Sequence, residues 1–311
     1  MKIGIDAMGG DDAPAETVAG AIEAAREYGI ELVLVGQPGA IEAELKKHDT
    51  SGLKLPIEPA ASVIPMDEHA PSTAWRRMRD SSLTVGLQML ADGKLDALVS
   101  AGNTGAVVAG GTFVVRRVEG IDRPALGITF PAMGDIGKVF LCDVGATPDA
   151  KPEYLVQWAR MSVVYMERVM GVSNPRVGLV SNGEEESKGS ELVRETFPLL
   201  GASGLNFIGN IEGKDIPAGA ADVAGAGQND VLELLDRRRG HRRLDPLAVM
   251  QQLARRGDPQ RVGAKVLVED AYRQLHPLAG GSRVGVPVGD DHPAVGIGLD
   301  QGREGDGIDR R

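Results

Sequence analysis

Short apolar runs alternate with stretches of helical periodicity through the first two-thirds of the chain. Residues 2–5 predict a strand, DAMGGDDAP a turn, and 15–28 a helix whose apolar positions recur every three to four residues. Residues 31–35 predict a second strand, closed by Gly36. A long helical pattern covers 71–92, with 71–80 also readable as its leading loop. Residues 96–100 form a buried-strand pattern, AGNTG a loop, and 106–116 a helix. Residues 125–130 and 138–143 pair around MGDIG as a hairpin. A helix over 152–170 has Pro152 in its first turn, a favoured position. A strand at 176–181, a helix at 187–200 and a short strand at 206–209 follow. This alternation predicts an α/β fold with a mostly parallel sheet and helices on both faces.

The pattern changes near Val223. Residues 224–311 hold 13 Arg and one Lys, whereas 1–223 hold 11 Arg and nine Lys. The tail carries a net charge of +1, leaving −11 on the first 223 residues. Helical signals persist weakly at 246–255, where Asp245 precedes Pro246, and at 265–275. From 277 onward Gly, Pro, Asp, Val and Arg run without periodicity, and such a composition predicts poor order. The chain therefore divides into an α/β core at 1–223 and a divergent segment at 224–311, with 277–311 expected to be poorly ordered.

Composition narrows the function classes. The 311 residues are 42% hydrophobic and 25% charged, as in a soluble globular protein. A net charge of −10 argues against a generally basic nucleic-acid surface. Cys142 is the only cysteine, so no intramolecular disulfide forms, which fits a reducing compartment. MKIGIDAMGG does not read as a secretory signal. The uncharged stretch 98–115 holds Ser100, Asn103, Thr104 and several glycines, and suits a loop entering a buried helix better than a membrane span. The sequence has no HExxH, no Cys/His metal spacing, no P-loop and no GxSxG.

The candidate chemistry gathers where strand patterns end. In DAMGGD, Gly9 and Gly10 permit a sharp turn or a close backbone approach to a ligand, with Asp11 placed to orient donors. In VSAGNTGA, Ser100, Gly102, Asn103, Thr104 and Gly105 combine backbone N–H groups at a helix start with side-chain donors, which suits a phosphate or carboxylate. The same residues also suit simple capping of a buried helix. Arg76, Arg77 and Arg79 concentrate positive charge for an anion or an acidic protein, or form a solvated helix face. Lys188 in NGEEESKG stands near a strand end, where it would neutralise phosphate charge; its spacing from Glu184 and Glu185 equally suits a helical ion pair. Asp143 and Glu212 follow further strand patterns, each also readable as a turn residue. Cys142 has no activating His nearby in sequence and reads as a buried strand residue.

These motifs, together with MDEHAPSTAWRRMRDSS, GIDRPAL, KPEYLVQWA, NPRVGL and GNIEGKDI, resemble the bacterial phosphate acyltransferase family of phospholipid synthesis over residues 2–223. The resemblance implies a fold like the isocitrate and isopropylmalate dehydrogenases and a cytoplasmic homodimer, with possible peripheral contact with a membrane. It implies transfer of a fatty acyl group from acyl carrier protein to inorganic phosphate, giving acyl phosphate, with no cofactor and no metal. On the matched motifs, Lys188, Asn103 and Asp143 take the catalytic roles. Gly9, Gly10, Asp11, Ser100, Gly102, Thr104, Gly105, Arg76, Arg79 and Glu212 take substrate-binding roles. The family has GAN where this chain has Gly145, Ala146 and Thr147, and Gly where Ser162 stands. It continues past Ala221, Asp222 and Val223 with a DGF…GN motif that this chain lacks, which implies reduced activity. Two other readings are a coenzyme A-dependent short-chain phosphate acyltransferase and a non-catalytic binder of acyl carrier protein or acyl phosphate.

Overall fold

A computed structural model describes residues 1–134, 136–145, 147 and 149–227, together with the backbone of 265–267 and 294–297. The first strands are β1 (Lys2–Asp6), β2 (Glu31–Gly36), β3 (Ile57–Pro59) and β4 (Ala97–Val99). The hairpin is β5 (Leu126–Pro131) and β6 (Lys138–Cys142), followed by β7 (Val177–Val180), β8 (Phe207–Ile211) and β9 (Val223–Gly225). Lys265–Leu267 is β10 and Ala294–Ile297 is β11. All lie in one sheet of order β3-β2-β1-β4-β11-β10-β5-β6-β9-β7-β8.

Both faces of the sheet are buried, and the two-residue period of the strands shows it. In β2, Leu32 and Leu34 enter one apolar cluster while Val33 and Val35 enter another. In β6, Phe140 and Cys142 face one cluster and Val139 and Leu141 the other. The helices covering these faces are α1 (Ala15–Tyr28), α2 (Pro38–Leu45), α3 (Pro71–Arg77), α4 (Ser82–Ala91), α5 (Thr104–Gly110), α6 (Pro152–Arg168), α7 (Glu191–Gly201) and the short α8 (Asp215–Ala218). The expected α/β layering is present, and parallel pairings predominate.

Strand direction reverses across the sheet. β1, β2, β3, β4 and β11 are mutually parallel; β10 runs against β11 and against β5, and β6 runs against β5. β6, β9, β7 and β8 are again parallel to one another. Following these pairings, β6 to β9 run opposite to β1 and β4, so the two sets end on opposite edges.

Several elements differ from their sequence patterns. The 71–92 helix is two helices, because Ser81 caps α4: its Oγ accepts from the Thr84 amide at 3.3 Å and donates to the Met78 carbonyl at 2.8 Å. The 106–116 helix starts at Thr104 and passes after Gly110 into a π-helical turn, Gly111–Arg116. The helix placed at 187–200 begins at Glu191, capped by Ser190. Residues 265–267 are a strand rather than the start of a helix, since their backbone pairs with β5 and β11. The remainder of 265–275, the 246–255 helix and 277–311 apart from 294–297 lie outside the described residues.

Candidate functional site: two clusters of strand-end loops

The loops after β1 and β4 lock together around a buried carboxyl. Asp6, at the end of β1, is 2% exposed, and its Oδ2 accepts the Ser100 hydroxyl at 2.7 Å. Ser100 Oγ in turn accepts the Gly102 amide at 3.1 Å. A Cβ at Gly9 would fall 2.5 Å from Asp6 Oδ2 and 2.9 Å from the Gly102 nitrogen, so only glycine allows this approach. Gly10 has φ +120, in the region that disfavours a side chain, and lies over Ala101. Burial raises the pKa of Asp6 above the usual carboxylate range, against the opposing effect of hydrogen bonds from Ser82, Ser100, Met8 and Gly9. Its Oδ1 lacks a well-formed hydrogen bond.

Asn103 caps α5. Its Oδ1 accepts the Ala106 amide at 3.0 Å, and its Nδ2 donates to the Met66 carbonyl at 2.9 Å. Both ends of the side chain are thus engaged, and Asn103 acts here by fixing the helix start and the chain before α3. Ser100 and Gly102 likewise spend their hydrogen bonds on Asp6 and on each other. Thr104 and Gly105 open the helix, and as first-turn residues their amides have no acceptor within it. Gly105 lies close to Pro71, where a Cβ would be 2.9 Å from Cγ, so α3 packs beside this turn. On α3, Arg77 pairs with Glu68 at 2.9 Å and Arg76 stacks over the Trp75 ring at 5.0 Å. Arg76, Arg79 and Asp11 are exposed.

The second cluster lies at the ends of β6, β7 and β8. Asp143 is fully buried; its Oδ1 accepts the Leu126 amide and its Oδ2 the Thr147 amide, each at 2.9 Å. It ties the start of β5 to the loop after β6. Lys188 is exposed in the loop between β7 and α7, and residues 184–188 are not helical. The helical ion-pair reading of Lys188 therefore fails. Glu184 instead lies 3.6 Å from Lys214, which also pairs with Glu212. Below this loop, Asn210 Nδ2 donates to the Glu185 carbonyl at 2.9 Å, while Ser181 Oγ and Asn210 Oδ1 are buried without partners. Asn210 and Ser181 were not singled out in the sequence; only their positions at strand ends marked them.

The fold does not bring these clusters together within one chain. Gly9, Gly10, Ser100, Gly102, Asn103, Thr104 and Gly105 sit at the edge where β1 and β4 end. Asp143, Lys188 and Glu212 sit at the opposite edge, because β6, β7 and β8 run the other way. From β4 to β7 the sheet order makes six steps, about 29 Å at the usual strand spacing.

The profile of a family described as "Fatty acid synthesis protein" matches residues 1–224. A phosphate acyltransferase of Herpetosiphon aurantiacus is 51% identical over 225 residues, 72% of this chain and 60% of that protein. A phosphate acyltransferase of Desulfitobacterium hafniense is 50% identical over 224 residues, 72% of this chain and 66% of that protein. The matched part thus spans less than two-thirds of either relative. Among solved structures, a phosphotransacetylase from Streptococcus pyogenes aligns with TM-score 0.55 at 17% identity, covering 73% of this chain and 77% of that one. The EutD phosphotransacetylase from Staphylococcus aureus aligns with TM-score 0.52 at 17% identity, covering 74% and 79%. These structures share the fold.

Proposed function

This chain belongs to the fatty acid synthesis protein family, and from that premise we propose that it transfers a fatty acyl group from acyl carrier protein to inorganic phosphate, giving acyl phosphate. The observation that carries the reading is the loop pair after β1 and β4. Gly9 and Gly10 press against Ala101 and Gly102, and the opening amides of Thr104 and Gly105 stand beside them. Such a surface of small residues and backbone donors suits phosphate. The exposed Arg76 on the adjoining helix and Arg79 in the turn after it suit the acidic carrier protein and the anionic substrate.

Phosphate is itself the nucleophile. One of its oxygens attacks the thioester carbonyl, the C–S bond breaks, and the carrier thiol leaves with the electron pair and takes up a proton. The protein's task is to hold phosphate, screen its charge and aim an oxygen. Thr104 and Gly105 hold it and Asn103 fixes the helix start that supports it; Lys188, six strand steps away on the opposite edge, is out of reach of that phosphate within one chain. Asp143 orders the loop beyond β6, and Glu212 holds Lys214. Gly9, Gly10, Ser100 and Gly102 shape the cradle, with Asp11 at its rim.

A cytoplasmic homodimer with peripheral membrane contact belongs to the same proposal. Phe113, Met133 and Val169 are exposed apolar side chains that such contacts would cover. Among the described residues, no helix is long and apolar enough to cross a membrane. Most of the apolar surface of α6 is buried within the chain, around Leu155, Trp158, Met161 and Met166, so this helix does not itself call for a partner.

The deciding experiment incubates acyl carrier protein thioester with the protein over a range of phosphate concentrations. Thiol release that rises with phosphate and saturates, with acyl phosphate formed, supports the reading. Release indifferent to phosphate indicates a thioesterase, and binding without release indicates a non-catalytic binder. Faster turnover of a short-chain coenzyme A thioester would replace the carrier protein as donor.

A further inference from the structure

The acyl-transfer mechanism leaves one buried titratable group without a role. Asp6 ends β1 and is 2% exposed, whereas Asp11, the other acid of the same turn, is exposed at its rim. The contacts of Asp6 converge on a single oxygen. Oδ2 accepts the Ser100 hydroxyl at 2.7 Å. A Cβ at Gly9 would lie 2.5 Å from this oxygen and one at Gly102 3.4 Å from it, so both glycine backbones lie against it. Oδ1 is closed off from solvent and has no well-formed hydrogen bond. Burying a carboxyl with one idle oxygen is costly, so the contacts of the other oxygen need to supply something that an apolar side chain could not.

We infer that Asp6 is a positioning residue: through Oδ2 it sets the separation of the loops after β1 and β4, and with it the affinity of the cradle for phosphate. The inference rests on the phosphate-cradle reading and adds the group that holds the two halves of that cradle in register. β1 and β4 pair from Ile3 with Ala97 to Ile5 with Val99. Asp6 and Ser100 are the next residues on each strand, so their side-chain bond carries the pairing on into the loops. From there Ser100 Oγ accepts the Gly102 amide at 3.1 Å, and the Gly9 amide donates to the Asp6 carbonyl at 3.3 Å. Gly9 and Gly102 have no side chains to wedge the loops apart, so their spacing depends on the carboxyl packed against both. Its removal would open a cavity under the two backbones, and shifts well below 1 Å matter to an anion held by backbone groups. Burial also raises the Asp6 pKa, which limits the negative charge set beside an anion.

The test measures inorganic phosphate binding by calorimetry, and the phosphate dependence of thiol release, for the full chain and its variants. Asp6→Ala is expected to raise the phosphate Kd and KM by about tenfold, with kcat at saturating phosphate within about threefold of wild type. Asp6→Asn keeps an oxygen for Ser100 and is expected to bring both constants back to within about threefold of wild type. Ser100→Ala cuts the same link from the other side and is expected to raise them by more than about threefold. Asp6→Ala combined with Ser100→Ala should be no worse than Asp6→Ala alone, because both break one link. A role confined to folding would instead lower the melting temperature and the active fraction, with the phosphate Kd and KM of the folded protein unchanged.

Wild-type phosphate affinity in both Asp6→Ala and Ser100→Ala would overturn the positioning role and leave the cradle standing. Equal loss of affinity in Asp6→Asn and Asp6→Ala would overturn it as well, since the oxygen offered to Ser100 would then not matter. Should Asp6→Ala not fold, the other two variants decide: affinity lost in Ser100→Ala and kept in Asp6→Asn supports the role, and any other pattern overturns it. Calorimetry separates the two levels of inference. Phosphate binding that is weakened in Asp6→Ala, without thiol release in wild type, would leave the positioning role standing and sink the acyl-transfer reading. Absence of phosphate binding in wild type would sink both.

Discussion

Ser100 donates its hydroxyl proton to Asp6 across 2.7 Å, joining the ends of two neighbouring strands through a carboxyl that solvent scarcely reaches. Burial raises the Asp6 pKa, so folding favours its protonated form. For an acid shifted upward, the native state is most favoured below the unfolded pKa of about 3.9, and this advantage is lost as pH rises towards the folded value. Asp6→Asn removes the titration and keeps an acceptor for Ser100. The stability of wild type relative to this variant should therefore fall above about pH 4, by at most about 1.4 kcal/mol per pH unit, and level off once Asp6 is ionised. Denaturant unfolding of both proteins from pH 4 to 8 checks it. A constant difference would show that Asp6 does not titrate on folding.

Asn103 separates two roles that one substitution confuses. Asn103→Ala removes both the cap and the tether to Met66, and should cost about 1–2 kcal/mol. Asn103→Ser restores a capping oxygen without reaching Met66, and should recover most of the cap's share. Phosphate use that follows stability across the pair would assign Asn103 to helix capping alone. Loss of phosphate use in Asn103→Ser with stability preserved would assign the Met66 tether to the ordering of the substrate site.

What could be read in the sequence follows a physical divide. Helix α1 was legible to the residue because its apolar period ends at Gly29, which takes the left-handed conformation of a helix stop. The hairpin was legible because two short apolar runs flank a glycine-containing turn. Elements α2 and β3 were missed because Pro38, Gly39, Pro56 and Pro59 punctuate them as loop, and their short lengths give too few periods. The break between α3 and α4 depends on the buried hydroxyl of Ser81, whose environment only tertiary structure supplies. The site suffered most. Each motif sat at a strand end as read, but strand direction is a property of pairing, not of local sequence. Nothing in NGEEESKG records that β7 runs opposite to β4, and so the separation of Lys188 from Asn103 could not be foreseen.

Arg176 grips Asp222 through Nη2 at 2.9 Å and Nε at 3.1 Å, and its amide adds a third hydrogen bond at 2.8 Å. The pair fastens the start of β7 to the start of β9. Burial raises the Asp222 pKa, but the Arg176 side chain, amide and charge outweigh it, so the net shift is downward. The stabilisation is therefore present above about pH 4 and is lost as pH falls through the folded pKa. Asp222→Asn should cost about 1–3 kcal/mol at pH 7, and the gap to wild type should narrow in acid. An unchanged gap down to pH 3 would mean that geometry, not charge, carries the contact.

The family match ends at residue 224, yet the sheet is continuous only through strands beyond it. β11 pairs with β4 and β10 pairs with β5, so these two strands bridge the halves of the sheet. Leu98 in β4 and Leu126 in β5 are buried, and each strand would present an unpaired edge without its partner. Backbone groups lost from pairing in an apolar setting are costly, and open edges invite association. A chain ended after Gly227 should therefore unfold at lower denaturant and form larger species than the full chain. Cooperative unfolding should give way to separate transitions, since the two halves would lose their shared strands. Chemical unfolding followed by both fluorescence and circular dichroism, with size-exclusion chromatography alongside, tests this. A truncated chain with the midpoint, cooperativity and elution of the full chain would show that the segment 228–311 contributes nothing to the closure of the sheet.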